Sequence, residues 1–495
     1  MISYGPVRRF AEGLTLFAIL AVAAAARLWF LTAGVPHAVG IDEPQVVDRA
    51  LRILHTGEWN THLFDYPTLV IYLQAGVAIL RFLWGALNGE WASLDAFSIA
   101  AVYGAGRFVT AMLGVATVWL TWRLARDLSS RTVALLAAAQ LAVRPLHVRE
   151  SHFVLTDVPM TALTTLALWL AVRASRLRTV SAYAWAGAAA GLAAAAKYDG
   201  GVVLVAAVVT WLLYERTAAD RTRKALAIVG AAALAFLVAA PYTLLDMPAF
   251  LNGFAAQFSR FAVPSHGAEA PWLTYVKHLS PQWARWSVPA ALAGAAMLLW
   301  RSRTRKPWTP MIVFAFAFFY VLSTHSHVFG RYALPLVPVL CIMTSVAAME
   351  LVRALHRVPA LSGPWASRLL WAAAIVVLLG ASSVETVRWL EGLKRADTRS
   401  MAADWLEASV PRGTRVAVEN SGPTYLDAAG FRLVTSELLI DRPLDWYRQR
   451  ADYLVISAAD LSRYGAYTNA GPTVFQVVPG AQRWGPPILI VSLKR

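Results

Sequence analysis

Long apolar runs separated by short polar loops fill the chain up to about residue 388. The runs 14–26, 108–120, 225–240 and 369–380 reach lengths that only lipid or a very large core absorbs, and they predict membrane-spanning helices. Beyond residue 389 the period changes. Apolar stretches shorten to strand length at 415–418, 453–456, 474–478 and 488–493, with a helix-like stretch at 401–408 and turn residues Pro411, Gly413 and Gly430 between them. The expected architecture is an α-helical polytopic membrane protein over 1–388, carrying a small α/β domain over 389–495.

The polar loops sort by charge. One set is basic: Arg8/Arg9, Arg123/Arg126/Arg131, Arg173/Arg176/Arg178, Arg216/Arg221/Arg223/Lys224, Arg301/Arg303/Arg305/Lys306 and Arg353/Arg357/Arg368. Basic loops stay on the cytoplasmic side, so 34–97, 144–157, 197–199, 242–286 and 325–331 face outward. About eleven crossings result, with the N-terminus inside and the C-terminal domain outside. Residues 66–85 are apolar enough to cross, yet the following loop, 86–97, has no Lys or Arg and contains Glu90 and Asp95. That stretch is expected to be an interfacial or re-entrant helix on the outer side. The apolar run after Arg8-Arg9 continues through Trp29-Phe30-Leu31 and reads as an uncleaved anchor.

Composition narrows the function. Only 15% of the 495 residues are charged, against about a quarter in a soluble enzyme of this size. The net charge of +16 sits largely in the short loops, where it sets topology, so nucleic acid is not an expected partner and membrane lipids are. The single cysteine, Cys341, excludes an internal disulfide. Nine of the ten histidines, all but His356, fall in outward segments, with Asp42, Glu43, Asp65, Glu150, Asp157, Asp199 and Asp246. The working face is therefore expected to be the outer one.

Four outward corners carry candidate chemistry. Asp42-Glu43-Pro44 opens a helical stretch, 45–56, where one carboxylate suits an N-cap and the other a base or metal ligand. The stretch 145–159 gathers His147, Arg149, Glu150, His152 and Asp157; Asp157 suits either an N-cap or a functional carboxylate at the bundle mouth. Lys197-Tyr198-Asp199 offers a snorkelling lysine or a phosphate contact. His325-Ser326-His327 leads to Arg331-Tyr332, and an arginine on the outer side calls for an anionic partner such as a phosphate. Basic groups, carboxylates and a membrane border together suit a lipid-linked phosphate processed at the outer surface. A lipid flippase would also need charges among many helices. Transporters, however, favour charges at the midplane and paired halves, and no repeat is visible here.

The order of these motifs resembles the GT-C superfamily of membrane glycosyltransferases, in the branch of protein O-mannosyltransferases and aminoarabinose transferases. The resemblance rests on Asp42-Glu43, Tyr66-Pro67, the Ser-His-Phe-Val-Leu-Thr-Asp core ending at Asp157, Lys197-Tyr198 and Arg331-Tyr332-Ala333-Leu334-Pro335, across roughly 10–350. It implies an inverting transfer of a sugar from a polyprenyl-phosphate donor to a lipid, protein or glycan acceptor at the outer face of the cell (inner) membrane. A polymerase or ligase using the same carrier is the neighbouring reading. By position, Asp42 is the implied base with Glu43 in support, and Asp157 orients the acceptor or shares a divalent ion. Lys197, Arg331 and Tyr332 hold the donor phosphate, while Tyr66, His147, Glu150, His152, Tyr198 and His327 contact substrate. Some relatives use a divalent metal and others none; the candidate ligands here are Asp42, Asp157 and His152. Aminoarabinose transferases usually carry lysine where Tyr66 stands, which argues against a lipid A-phosphate acceptor. The 389–495 domain has no phosphate loop, metal spacing or nucleophile motif and reads as a cap or acceptor-docking module.

Overall fold

The structure is a computed structural model that describes residues 5–262, 269–280, 284–458 and 460–494. His266, counted above with the outward histidines, lies outside the described residues. The chain divides into two compact units. One comprises Met1–Trp29, Arg49–Ile79 and Phe108–Val387; the other comprises Phe30–Asp48, Leu80–Arg107 and Arg388–Arg495.

The helices follow the apolar runs. Among the described residues eight are long and apolar enough to cross a membrane, judged by length and composition. Four shorter apolar helices accompany them: Arg131–Ala142, Val180–Ala196, Tyr198–Tyr214 and Ser287–Trp300. Together they are the eleven expected runs plus Leu69–Leu87. That stretch, expected to be interfacial or re-entrant, is one unbroken helix of 19 residues, and its length and hydropathy meet those of a span.

The first unit is a helical bundle whose tightest packing is made by its smallest residues. The alanine-rich helix Val180–Ala196 packs on Ala218–Ala239 and on Asp157–Leu177. Gly187 and Gly191, one turn apart, lie on the contact: a Cβ at either would collide with the backbone carbonyl of Ile228 or Ala232. Small residues at this spacing let backbones approach and gain dispersion that lipid does not supply. At the far end of Val180–Ala196 the chain leaves the helix at Lys197, in extended geometry (φ −159°, ψ 136°).

In the second unit, the C-terminal segment forms a five-stranded sheet and a two-stranded one. The strands are β1 (Ala396–Asp397), β2 (Arg415–Glu419), β3 (Arg432–Ser436), β4 (Tyr453–Ile456), β5 (Thr473–Val477), β6 (Arg483–Trp484) and β7 (Ile488–Ser492). The main sheet has the order β3-β2-β4-β7-β5, and β1 with β6 makes the smaller one. β2 is parallel to both β3 and β4, whereas β7 is antiparallel to β4 and β5. Continuously apolar β2, β4 and β7 are buried on both faces, with Val416, Val418, Val455 and Ile490 toward one core and Ala417, Leu454, Ile456 and Val491 toward the other. Glu419 ends β2 inside this core. Its carboxylate accepts from the backbone N–H of Leu439 (2.8 Å) and Ser457 (2.7 Å) and from the Tyr464 hydroxyl (2.7 Å).

Candidate active site

The bundle unit brings three of the expected residues into contact. The helix Asp157–Leu177 begins at Asp157, which is the first helical residue; Thr156 occupies the N-cap position. The Asp157 carboxylate is therefore not spent on a cap. It accepts from Lys197 Nζ at 2.7 Å, and Arg331 Nε stands 3.7 Å from its other oxygen. Asp157 at a helix start and Lys197 at a helix end both suit the helix dipoles. Lys197 is 7% exposed, so it is a buried ion-pair member, and the snorkelling reading does not hold.

Aromatic rings complete the setting. Lys197 Nζ lies 3.7 Å from the centroid of the Tyr332 ring, and the Arg331 guanidinium lies 4.5 Å from that of Phe329. Such faces attract cations without neutralising them. Two cations thus face one buried carboxylate.

Lys197 and Tyr332 form part of the wall of a cavity of about 530 Å³, together with Asp65, Tyr66, Tyr198, Asp199, Phe254 and His325. Tyr66 and Tyr198 were expected at the site. Tyr198 is fixed by donating to the Phe64 carbonyl (3.0 Å) and by an edge contact with Phe254 (5.2 Å). Burial holds the His325 imidazole below its ordinary pKa, with Lys197 acting in the same sense and Asp199 against it, so the neutral ring is favoured at neutral pH. Asp65 and Asp199 were visible as outward carboxylates but were not placed in the site by the sequence. The fold joins them because the loop before Leu69–Leu87 meets the end of Val180–Ala196.

Other expected residues have different company. His147 is fully buried, and its Nδ1 accepts from Arg27 Nη2 at 3.0 Å; the same arginine donates to the carbonyls of Leu141 and Ala142. This cluster satisfies the end of the helix Arg131–Ala142. His152 faces two carbonyls, those of Val148 (2.9 Å) and Trp29 (3.0 Å), one at each ring nitrogen. Glu150 pairs with Arg149 at 2.7 Å, although burial raises its pKa. His327 is exposed, beside the Ser326 hydroxyl (3.1 Å). These four are not among the residues that wall the cavity.

Among the described residues no three His, Cys, Asp or Glu side chains gather where a metal ion would be held. With both ring nitrogens of His152 engaged and Asp157 committed to Lys197, the candidate ligand set does not fit a metal.

In the second unit the acidic pair has unequal fates. Glu43 is fully buried and receives Arg107 through two bonds, Nε at 2.9 Å and Nη2 at 2.7 Å, while the Gly40 N–H donates to it at 2.7 Å. Arg107 Nη1 also donates to the carbonyls of Leu31 and Ala33. Asp42 is half-buried in the turn that precedes this helix. Sequence reading missed Arg107. The available signal was an arginine inside an apolar span, which calls for a partner.

Residues 97–244 match the family model described as dolichyl-phosphate-mannose-protein mannosyltransferase, a segment that includes Asp157 and Lys197. No curated protein sequence matches the chain. Among solved structures, the chain is similar to the oligosaccharyltransferase of Archaeoglobus fulgidus in its apo form. The TM-score is 0.64 at 12% identity, over 94% of this chain and 71% of that one. AglB from the same organism, in complex with an inhibitory peptide and a dolichol-phosphate, gives 0.61 at 12% identity, over 93% and 71%. ArnT from Cupriavidus metallidurans, bound to undecaprenyl phosphate, gives 0.59 at 16% identity, over 97% and 98%. The chain thus shares its fold with these membrane proteins, and its segment 97–244 matches the mannosyltransferase family model.

Proposed function

We propose that the protein transfers a sugar from a polyprenyl-phosphate donor to an acceptor hydroxyl at the outer face of the membrane, with inversion at the anomeric carbon. The observation that carries this reading is that Lys197, which lines the polar cavity, is paired to Asp157 with Arg331 beside the same carboxylate. A lysine at a polar cavity suits a phosphate monoester leaving group, whose charge grows as the bond to the sugar breaks. Asp65 and Asp199 supply acceptors for sugar hydroxyls. A second, wholly apolar groove of about 340 Å³ lies among the helices Pro271–Leu279, Ser287–Trp300, Ser302–Ser323 and Leu336–Leu355, where Trp272, Phe316 and Phe319 suit a prenyl chain. Ser302–Ser323 also contributes Val321 to the polar cavity, so one helix borders both.

Asp42 is the proposed base from its position in the motif order, with Glu43, bound to Arg107, beside it in support. In the step, the acceptor oxygen forms a bond to the anomeric carbon as the carbon–oxygen bond to phosphate breaks. The acceptor proton passes to the carboxylate base, and the electron pair leaves with polyprenyl phosphate, whose growing charge suits cations such as Lys197 and Arg331. Asp157 holds these two cations in place. ArnT and AglB relatives with bound undecaprenyl phosphate and dolichol-phosphate support the donor class.

Binding of undecaprenyl phosphate to the purified protein tests the phosphate site. Lys197→Gln and Arg331→Gln are each expected to weaken it on the order of tenfold or more, the worth of one charge-assisted bond. Unchanged affinity in both variants removes the phosphate from this cavity.

A further inference from the structure

We infer that the C-terminal α/β segment positions the loop carrying Asp42, with Arg399, Thr424 and Tyr425 as positioning residues. The inference rests on Asp42 being the base proposed above.

The loop before the acidic pair has little regular structure of its own, so its backbone groups need partners elsewhere. Four consecutive carbonyls find them in the C-terminal segment. Thr424 Oγ1 donates to Pro36 (2.6 Å) and Thr424 N–H to His37 (3.0 Å). Arg399 donates to Ala38 through Nη2 (3.2 Å) and to Val39 through Nη1 (2.8 Å). The guanidinium is itself held flat by two bonds to Asp397, of 3.0 and 2.9 Å, and Asp397 also caps the helix Thr398–Ser409. His37 returns a bond from Nδ1 to the Thr424 carbonyl (2.7 Å), and its Nε2 is 3.3 Å from Glu407.

The other side of Asp42 is held as well. Tyr425 donates its hydroxyl to Asp48 (2.7 Å), in the second turn of the helix that begins at Glu43, and its ring meets Tyr103 edge-on at 5.9 Å. Tyr425 has φ +55°, a left-handed conformation that a bulky residue adopts only when its surroundings impose it. The bonds at 36–39, at Glu43 and at Asp48 therefore bracket Asp42 on both sides. A base must sit within hydrogen-bond reach of the proton it takes, and a displacement of about 1 Å costs about a hundredfold in rate.

The test uses the full-length protein carrying Arg399→Ala, Arg399→Lys or Tyr425→Phe, with Asp42→Asn alongside. Turnover is counted per molecule competent to bind undecaprenyl phosphate, which removes any misfolded fraction from the comparison. Arg399→Ala is expected to lower kcat by about tenfold to a hundredfold, with donor KM and undecaprenyl phosphate affinity within about twofold of the parent. Arg399→Lys should regain part of the loss, and Tyr425→Phe should show a smaller loss of the same kind. An unchanged kcat in both Arg399→Ala and Tyr425→Phe, or a fall matched by lost donor affinity, overturns the inference. Normal turnover of Asp42→Asn removes the base assignment and the inference with it, whatever Arg399→Ala shows.

Discussion

Removing one member of a buried ion pair costs more than the pair is worth, because the survivor stays charged without compensation. Asp157→Asn leaves Lys197 and Arg331 facing each other with no carboxylate between them. It is expected to lower stability by about 3–5 kcal/mol, read as a drop in thermal midpoint of the detergent-solubilised protein. Glu43→Gln strands Arg107 in the same way and is expected to cost a similar amount. The two sites should differ in what is recovered when both partners become apolar. At Glu43 and Arg107 the recovery is incomplete, because the carbonyls of Leu31 and Ala33 lose their donor as well. A full recovery would show that Arg107 does not hold this loop.

The elements follow rules of packing and charge that mutation separates. Gly187 and Gly191 meet the backbone of Ala218–Ala239, whereas Gly230 on that same helix has nothing within 4 Å of its missing Cβ. Gly191→Ala is expected to cost about 1–3 kcal/mol by overpacking. Gly230→Ala should gain about 0.5–1 kcal/mol from reduced backbone freedom. Equal effects in thermal unfolding would contradict the close approach. In the sheet, Glu419→Ala leaves the amides of Leu439 and Ser457 and the Tyr464 hydroxyl without their acceptor, and should destabilise by about 3 kcal/mol.

Helix positions and four of the five main strands were legible because their apolar periods are long or continuous. β3 was not, since Arg432–Ser436 is only partly buried and its polar and apolar residues do not alternate cleanly. Leu69–Leu87 was ambiguous for a different reason: the loop after it has no Lys or Arg, so the charge rule has nothing to weigh. The charge pattern of the later loops still favours one side for both ends of this helix. Trp59→Cys and Asn88→Cys should therefore label from the same face of sealed vesicles, with the single native Cys341 buried and silent. Labelling from opposite faces makes Leu69–Leu87 a crossing.

Across the molecule, sequence order singled out residues without showing which of them meet. Lys197, Asp157 and Arg331 were each singled out, and the fold joins them because a helix start, a helix end and a short 3₁₀ turn converge in one unit. Their mutual pairing was not readable, since nothing local to 157, 197 or 331 specifies a partner. His147 and His152 were singled out by the same logic and instead satisfy buried backbone and Arg27. The C-terminal segment had no motif of its own; its part in the account comes from the carbonyls of 36–39 that it serves.

The central claim is group transfer from a polyprenyl-phosphate sugar with Asp42 as the base. The most direct measurement presents purified protein with a panel of polyprenyl-phosphate sugars and acceptors and follows release of free polyprenyl phosphate. Release that depends on acceptor, and that falls by at least about a hundredfold in Asp42→Asn, is the predicted result. Donor binding without release across the panel, or undiminished release by Asp42→Asn, would contradict it; the former is the behaviour of a lipid-sugar flippase.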